Sequence, residues 1–182
     1  TIERNISLVS CDNAGALLER VKGADVYFYP LIIDGSVTDL YFAFDNEIVV
    51  ISPETQGYKD FICEFFEDES AKKYSFNTKE LHRLACKLGV ELKGVKGDLM
   101  LSAYLLRPSD SNYDIAHLCL EYSVKIPEFL NSLGTKDENV ELASVINPLF
   151  EKTDILIDDA QERQLLENIE LPLSRVLAKM EY

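Results

Sequence analysis

Positive charge is scarce in this sequence: 18 Lys and Arg stand against 32 Asp and Glu, a formal net charge of -14. A domain that grips nucleic acid by itself draws its affinity from neutralised phosphates and needs a Lys/Arg stripe to do so. The basic clusters here, Lys72 with Lys73 and the set Lys87, Lys93 and Lys96, are small and have no aromatics between them. They read as solvated surface. Histidine and cysteine are sparse as well. His82 and His117 each lie near a cysteine without ligand-like spacing, and Cys11, Cys63, Cys86 and Cys119 form no CxxC pair, which argues against a zinc site. With no secretory leader ahead of them, the thiols are expected to be reduced, in the cytoplasm. No apolar run is long enough to cross a bilayer before charge or proline interrupts it, so a soluble protein is expected. A glycine-rich phosphate loop, HExxH and GxSxG are missing too, and with them the common signatures of nucleotide, zinc-peptidase and serine-hydrolase sites.

What is present is enough apolar residue, 47% of 182, to fill one core, and no composition shift divides the chain, so one domain over residues 1–182 is expected. Ile6 to Val9 reads as a short strand. Asp12 to Val21 reads as a helix capped by Asp12, with Ala14, Leu17, Leu18 and Val21 at helical spacing. Val26 to Ile33, Leu40 to Phe44 and Ile48 to Ile51 are apolar runs separated by Asp34-Gly35-Ser36 and Asp45-Asn46-Glu47, the pattern of a three-stranded antiparallel meander. Pro30 cannot donate to a ladder, so the first of these strands ends there or runs along an edge at that point.

Tyr58 to Phe66 carries Phe61, Ile62, Phe65 and Phe66 on one helical face. Lys73 to Phe76 suits a strand, and Asn77 to Leu88 a helix with Leu81, Leu84, Ala85 and Leu88 inward and Gly89 as its C-terminal cap. Val90 to Val95 is expected as a strand, then a buried helix Leu99 to Leu106 capped by Asp98 and stopped by Pro108. Helices are expected over Asp114 to Tyr122, Ile126 to Leu133 and Val140 to Phe150, and in a long stretch from Asp154. In that last stretch Leu166, Ile169, Leu173, Val176, Leu177 and Met180 form a stripe, with a kink or new first turn at Pro172. The order predicts an α/β domain with a mixed sheet, antiparallel meander then parallel strands, and a helical C-terminal half.

Two runs carry a resemblance. The first is a helix from Leu81 followed by Gly89-Val90-Glu91-Leu92, then Asp98 and an apolar helix ending in Tyr104-Leu105-Leu106. The second is Glu167-Asn168-Ile169-Glu170-Leu171-Pro172-Leu173-Ser174-Arg175 and onward to Tyr182. Both resemble the 3′ to 5′ exonuclease domain of the bacterial family A DNA polymerases, the DNA polymerase I family, from about residue 5 to the end. The second resembles the helix, about 167–182, that leads from that domain into the polymerase domain. The resemblance implies a ribonuclease H-like exonuclease fold, a parent chain that is a DNA-directed DNA polymerase acting in replication and repair, and Mg²⁺ as the cofactor of that parent.

Chemistry in the family is two-metal phosphodiester hydrolysis, with carboxylates holding both ions. The resemblance places the family's Asp-x-Glu motif on Tyr29 and Leu31. It places Asn and the Asp four residues later on Asn77 and Leu81, and the acid of Tyr-x-x-x-Asp, across Asn139 to Ala143, on Ala143. Asn77 is kept, the four acids are not, and Asp98 fits the family pattern but reads as a helix cap. Glu141 and Asp137 are the nearby acids that another register brings in. These positions imply a catalytically inactive exonuclease-like module with no metal or cofactor of its own, partnered by the polymerase domain of the same chain and touching DNA weakly or only through the full protein. Two alternatives stand beside it: an active exonuclease using shifted carboxylates such as Asp25, Asp34, Asp39 and Glu141, and a free-standing acidic interaction module of the same fold.

Overall fold

The computed structural model describes residues 5–182. Its first half alternates strands and helices: β1 (Ser7–Ser10), α1 (Ala14–Val21), β2 (Asp25–Ile33), β3 (Ser36–Phe44), β4 (Glu47–Ile51), α2 (Tyr58–Glu67), β5 (Lys72–Ser75), α3 (Thr78–Leu88), β6 (Val95–Asp98) and α4 (Leu99–Leu106). Helices alone follow: α5 (Ile115–Glu121), α6 (Glu138–Ser144), α7 (Ile146–Asp159), α8 (Arg163–Leu165), a π-helical turn (Leu166–Glu170) and α9 (Leu171–Glu181). The six strands form one mixed sheet in the order β1-β4-β3-β2-β5-β6. β2, β3 and β4 are the antiparallel meander. β1 pairs parallel to β4, β5 to β2, and β6 to β5. The expected mixed α/β architecture is therefore present.

Alternation along the central strands sends side chains to two different cores. Val26 and Phe28 of β2, Leu40 and Phe42 of β3, and Val49 and Ile51 of β4 pack under α1, α2 and α3 with Phe61, Ile62, Phe65, Phe66 and Leu81. Tyr27 and Tyr29 face the opposite way, onto Leu99, Ile115, Leu118, Ile146, Leu149 and Phe150 of α4, α5 and α7. Gly97 of β6 is needed on that second face. A Cβ there would lie 2.6 Å from the Phe150 ring and 2.9 Å from Tyr74.

Pro30 sits inside β2, opposite Leu40. The parallel pairing of β2 to β5 ends at Tyr27 with Tyr74, and the register to β3 shifts just after Pro30. A residue with no N–H is accommodated because the β5 side of the strand is free from that point.

Several expectations change. Asn13, not Asp12, caps α1, its Oδ1 accepting from Gly15 N at 2.9 Å. Residues 90–94 are not a strand: Gly89 closes α3 in the left-handed conformation, Gly94 has φ 72°, and β6 starts only at Val95. No helix spans 126–133. Pro127 disfavours the α-region at Ile126, Phe129 N donates instead to Glu141 Oε1 at 2.8 Å, and Asn131 Oδ1 accepts from Leu133 N and Thr135 N. The helix expected over 140–150 is broken at Val145, whose N donates to Leu142 O, and α7 then runs through Asp154 to Asp159.

The terminal stripe is the largest change. A π-helical turn carries an extra residue, with Leu171 N donating to Leu166 O. It precedes Pro172, which has no N–H to continue an α-pattern. The buried face becomes Leu166, Leu171, Ser174 and Ala178. Of the predicted stripe only Leu166 is inside, while Ile169, Leu173, Val176, Leu177 and Met180 are exposed. Small residues at 174 and 178 let α9 lie against α3, where Lys79 pairs with Glu181 at 3.2 Å.

Candidate functional site

Tyr29 and Leu31 of β2 both pack onto one face of the sheet, although the register to β3 shifts between Pro30 and Ile32, and α6 comes down onto that face through Val140 and Ala143. Together with Tyr41, Ala43, Ile48, Val50 and Phe129 they make one apolar cluster. Ala143 is fully buried in it, and the Tyr29 and Tyr41 rings lie 6.3 Å apart. The fold thus brings Tyr29, Leu31 and Ala143 together, residues separated by more than a hundred positions in the chain. Leu81 is buried in the other core, under α1 and α2 with Phe28 and Phe42, as its place on the apolar face of α3 requires.

Asn77 precedes α3 with φ 56° and makes no side-chain cap. That task falls to Asp98, which is buried and clamps two helix starts at once. Its Oδ1 accepts from Asn77 N at 3.0 Å and Met100 N at 2.9 Å, and its Oδ2 accepts from Thr78 N and Thr78 Oγ1, both at 2.7 Å. Every lone pair aimed at a neighbour is in use, so the carboxylate is a structural cap for α4 and α3 together. Burial pushes this carboxyl upward and the four donors oppose that.

The chemistry available at the Tyr29 cluster is that of neutral phenols. Burial and the nearby charges of Asp137 and Asp39 push Tyr41 up to about 12, and burial with Asp114 raises Tyr29. Neither hydroxyl is a metal-binding phenolate near neutral pH. Beside the cluster an open cleft of ≈ 460 Å³ is lined by Ala116, Ile126, Pro127, Glu128, Lys136 and the α6 residues Glu138, Glu141 and Leu142. Glu141 is 4% exposed and already committed, through Oε1 to Phe129 N and through Oε2 to Lys136 at 3.6 Å. Asp137 accepts from Val140 N as the N-cap of α6.

Asp25 and Asp34 lie at opposite ends of β2, roughly 30 Å apart along an extended strand. Among the described residues, no metal-capable group of three includes Asp25, Asp34, Asp39 or Glu141. The residues at the Tyr29 cluster do not fit a pair of divalent ions, which need several converging oxygens. The group that does converge, Asp110 with His117 and Glu121, lies elsewhere. Its His117–Glu121 spacing of four on a helix was visible in the sequence, but the contribution of Asp110 was not.

No helix among the described residues is long and apolar enough to cross a membrane. Comparison with known proteins gives a consistent result. The family described as DNA polymerase I, ribonuclease H-like domain, matches residues 34–156, a span that holds Asn77, Leu81, Asp98 and Ala143 but not Tyr29, Leu31 or α9. DNA polymerase I of Bacillus subtilis is 28% identical over 144 residues, 72% of this chain and 16% of that protein. DNA polymerase I of Geobacillus stearothermophilus is 26% identical over 180 residues, 92% of this chain and 20% of that protein. The chain therefore spans about a fifth or less of the length of these relatives. Among solved structures, the POL domain of Pol1 from M. smegmatis, in complex with DNA primer-template and dNTP, superposes with a TM-score of 0.75 at 24% identity, covering 95% of this chain and 31% of that one. With the mixed sheet and its two helical faces, these matches show that the chain belongs to the DNA polymerase I ribonuclease H-like domain family, as an exonuclease-like domain.

Proposed function

We propose that this domain is a non-hydrolysing exonuclease-like module of a DNA-directed DNA polymerase, kept for its fold and not for proofreading. The observation that carries the reading is the cluster of Tyr29, Leu31 and Ala143, where apolar packing stands in the place the resemblance gives to metal-binding acids. Leu81, the fourth position the resemblance gives to an acid, is buried in the other core with Phe28 and Phe42, on the opposite face of the sheet from the Tyr29 cluster. Replacing such ligands by apolar side chains removes the charge needed to hold two cations and converts the site into packing surface.

The exposed row Ile169, Leu173, Val176, Leu177 and Met180 supports a module that is covered by something else, and the polymerase domain of the same chain is the partner we assign. Mg²⁺ belongs to that polymerase domain in this reading, and DNA contact runs through the full protein. The net charge of -14 speaks against tight phosphate binding by this part alone.

The test is degradation of a 5′-labelled single-stranded oligonucleotide by the purified domain with Mg²⁺ or Mn²⁺. A second sample carries Tyr29→Asp, Leu31→Glu and Ala143→Asp, its folding checked by circular dichroism. The unmodified domain is expected to leave the oligonucleotide intact. Metal-dependent shortening that survives stringent purification and gel filtration overturns the reading.

A further inference from the structure

His117 and Glu121 are four apart on α5 and so share one side of that helix, about 200–240° around from Ile115. Ile115, Leu118 and Cys119 fill the buried side. The loop between α4 and α5 brings Asp110 up to the outer pair. His117 Nε2 is 3.1 Å from Asp110 Oδ2 and 3.6 Å from Glu121 Oε2, and one ligand atom from each of the three residues lies within 4.8 Å of the others. Ligand atoms held at about 2.0–2.2 Å from a tetrahedral ion sit roughly 3.3–3.6 Å from one another. Two of the three edges are therefore near the size that a bound cation sets.

Hydrogen bonding among the three is incomplete. A neutral imidazole offers at most one proton at Nε2. Given to Asp110, it leaves Glu121 Oε2 facing the ring at 3.6 Å without a donor. Glu121 is not a loose surface acid: its side chain is 9% exposed and its Oε1 pairs with the Arg107 guanidinium. Arg107 thus holds one carboxylate oxygen and leaves the other directed at His117. Arg107 is in turn the C-cap residue of α4, and its carbonyl accepts from Tyr113 Oη at 2.6 Å. The support around the three groups is therefore built from the same loop.

We propose that Asp110, His117 and Glu121 form a site for one first-row divalent cation of the Zn²⁺ type, which ties the α4–α5 loop to α5. One imidazole and two monodentate carboxylates suit such an ion and leave its fourth position to water. The neutral ring binds through Nε2 as the Nδ1–H tautomer. Glu121 binds through Oε2, with Arg107 on Oε1 as the outer partner that orients it. The site lies on the side of α5 away from the Tyr29 cluster, uses none of the family motif positions, and is independent of whether the domain hydrolyses DNA.

The chain has only two histidines, and the other, His82, is buried between α3 and α9 near Arg175 and Lys179, which makes it an internal control. Zn²⁺ is titrated by calorimetry under reducing conditions, and imidazole ¹H–¹⁵N correlation spectra are followed in parallel, with Mg²⁺ as the comparison ion. The expected result is one Zn²⁺ per chain, movement of the His117 nitrogens alone, and little response to Mg²⁺. Asp110→Asn keeps a partner for the ring but removes a charged ligand, and His117→Gln removes the nitrogen. Each is expected to weaken Zn²⁺ at least tenfold while the His82 signal of Asp110→Asn stays in place, showing an intact fold. Zn²⁺ binding that persists in both variants, equal binding of Mg²⁺, or an unmoved His117 signal overturns the proposal, since the cation is then held by thiols or by the acidic surface at large.

Discussion

The two faces of the central sheet are made by the same strands and do different things. Under α1, α2 and α3 the side chains are hydrocarbon and closely packed: Phe65 lies 5.5 Å from both Phe28 and Phe42 and 5.6 Å from Phe61, all almost completely buried. Lys73, the one buried Lys or Arg among the described residues, is 1% exposed. It is held by the carbonyls of Asp68 at 2.7 Å and Ala71 at 2.9 Å, with the Phe65 ring 4.8 Å away. On the face under α6 and α7 the strands present Tyr27, Tyr29, Tyr41 and Tyr74, and the ring of Tyr27 stacks on Tyr74 at 4.8 Å. One face is a stabilising core. The other presents tyrosines that burial keeps protonated near neutral pH, beside the positions the resemblance gives to acids. Apolar side chains buried at Leu31 and Ala143 contribute to the stability of the second face.

The comparison breaks most visibly if the first face is opened. Phe65→Ala is expected to lose about 4 kcal/mol of stability, as cavity formation adds to lost burial, read from the urea midpoint at unchanged slope. A loss under 1 kcal/mol would show that this face is not the main core.

The seam between α3 and α9 gives a pH test. Burial, then the charges of Arg175 and Lys179, lower His82 to about 4, against about 6.5 when unfolded. Since the folded value is the lower one, the unfolded chain binds the extra proton. Stability is therefore full above pH 6.5, falls as pH drops toward 4, and is flat in this respect below that, a loss of roughly 3 kcal/mol in all. His82→Gln should remove this component, seen as the difference between the two stability-against-pH curves. Parallel curves would show that the ring is not buried as described.

Asp98→Asn tests whether the double cap is structural. An amide cannot accept from all of Asn77, Thr78 and Met100, and a loss of about 2 kcal/mol is expected from thermal or chemical unfolding. An unaltered stability would return Asp98 to the set of candidate ligands. The smallest effect is expected at the site itself. Tyr29→Phe should change stability by less than about 0.5 kcal/mol and leave oligonucleotide degradation at background, and a larger change in either would give the Tyr29 hydroxyl a role that packing does not supply.

Much of this was legible locally. The apolar runs and turn residues between Val26 and Ile51 marked the antiparallel meander, the 81–85 spacing turned Leu81 inward, and Asp98 before an apolar run marked a cap. The resemblance correctly named the family. Ile126 to Leu133 was misread because apolar spacing outweighed Pro127, and because the partner that holds Phe129 N is Glu141, twelve residues on. The C-terminal stripe was misread because a single π-helical turn shifts every later residue around the axis, so an even 3.6-residue count across Leu166 to Met180 points to the wrong side.

By itself, then, the sequence determined where most elements form, which helix residues turn inward, and that Tyr29, Leu31, Leu81 and Ala143 carry no acid. These depend on backbone periodicity and caps, which act over a few residues. Only the tertiary structure decided that Tyr29, Leu31 and Ala143 meet, that Asp98 serves two helices, that α9 packs through Ser174 and Ala178 with its larger apolar residues outward, and that Asp110 reaches His117. Each of these depends on how separate elements pack, and packing is set by the fit of whole surfaces and not by the order of residues within one of them.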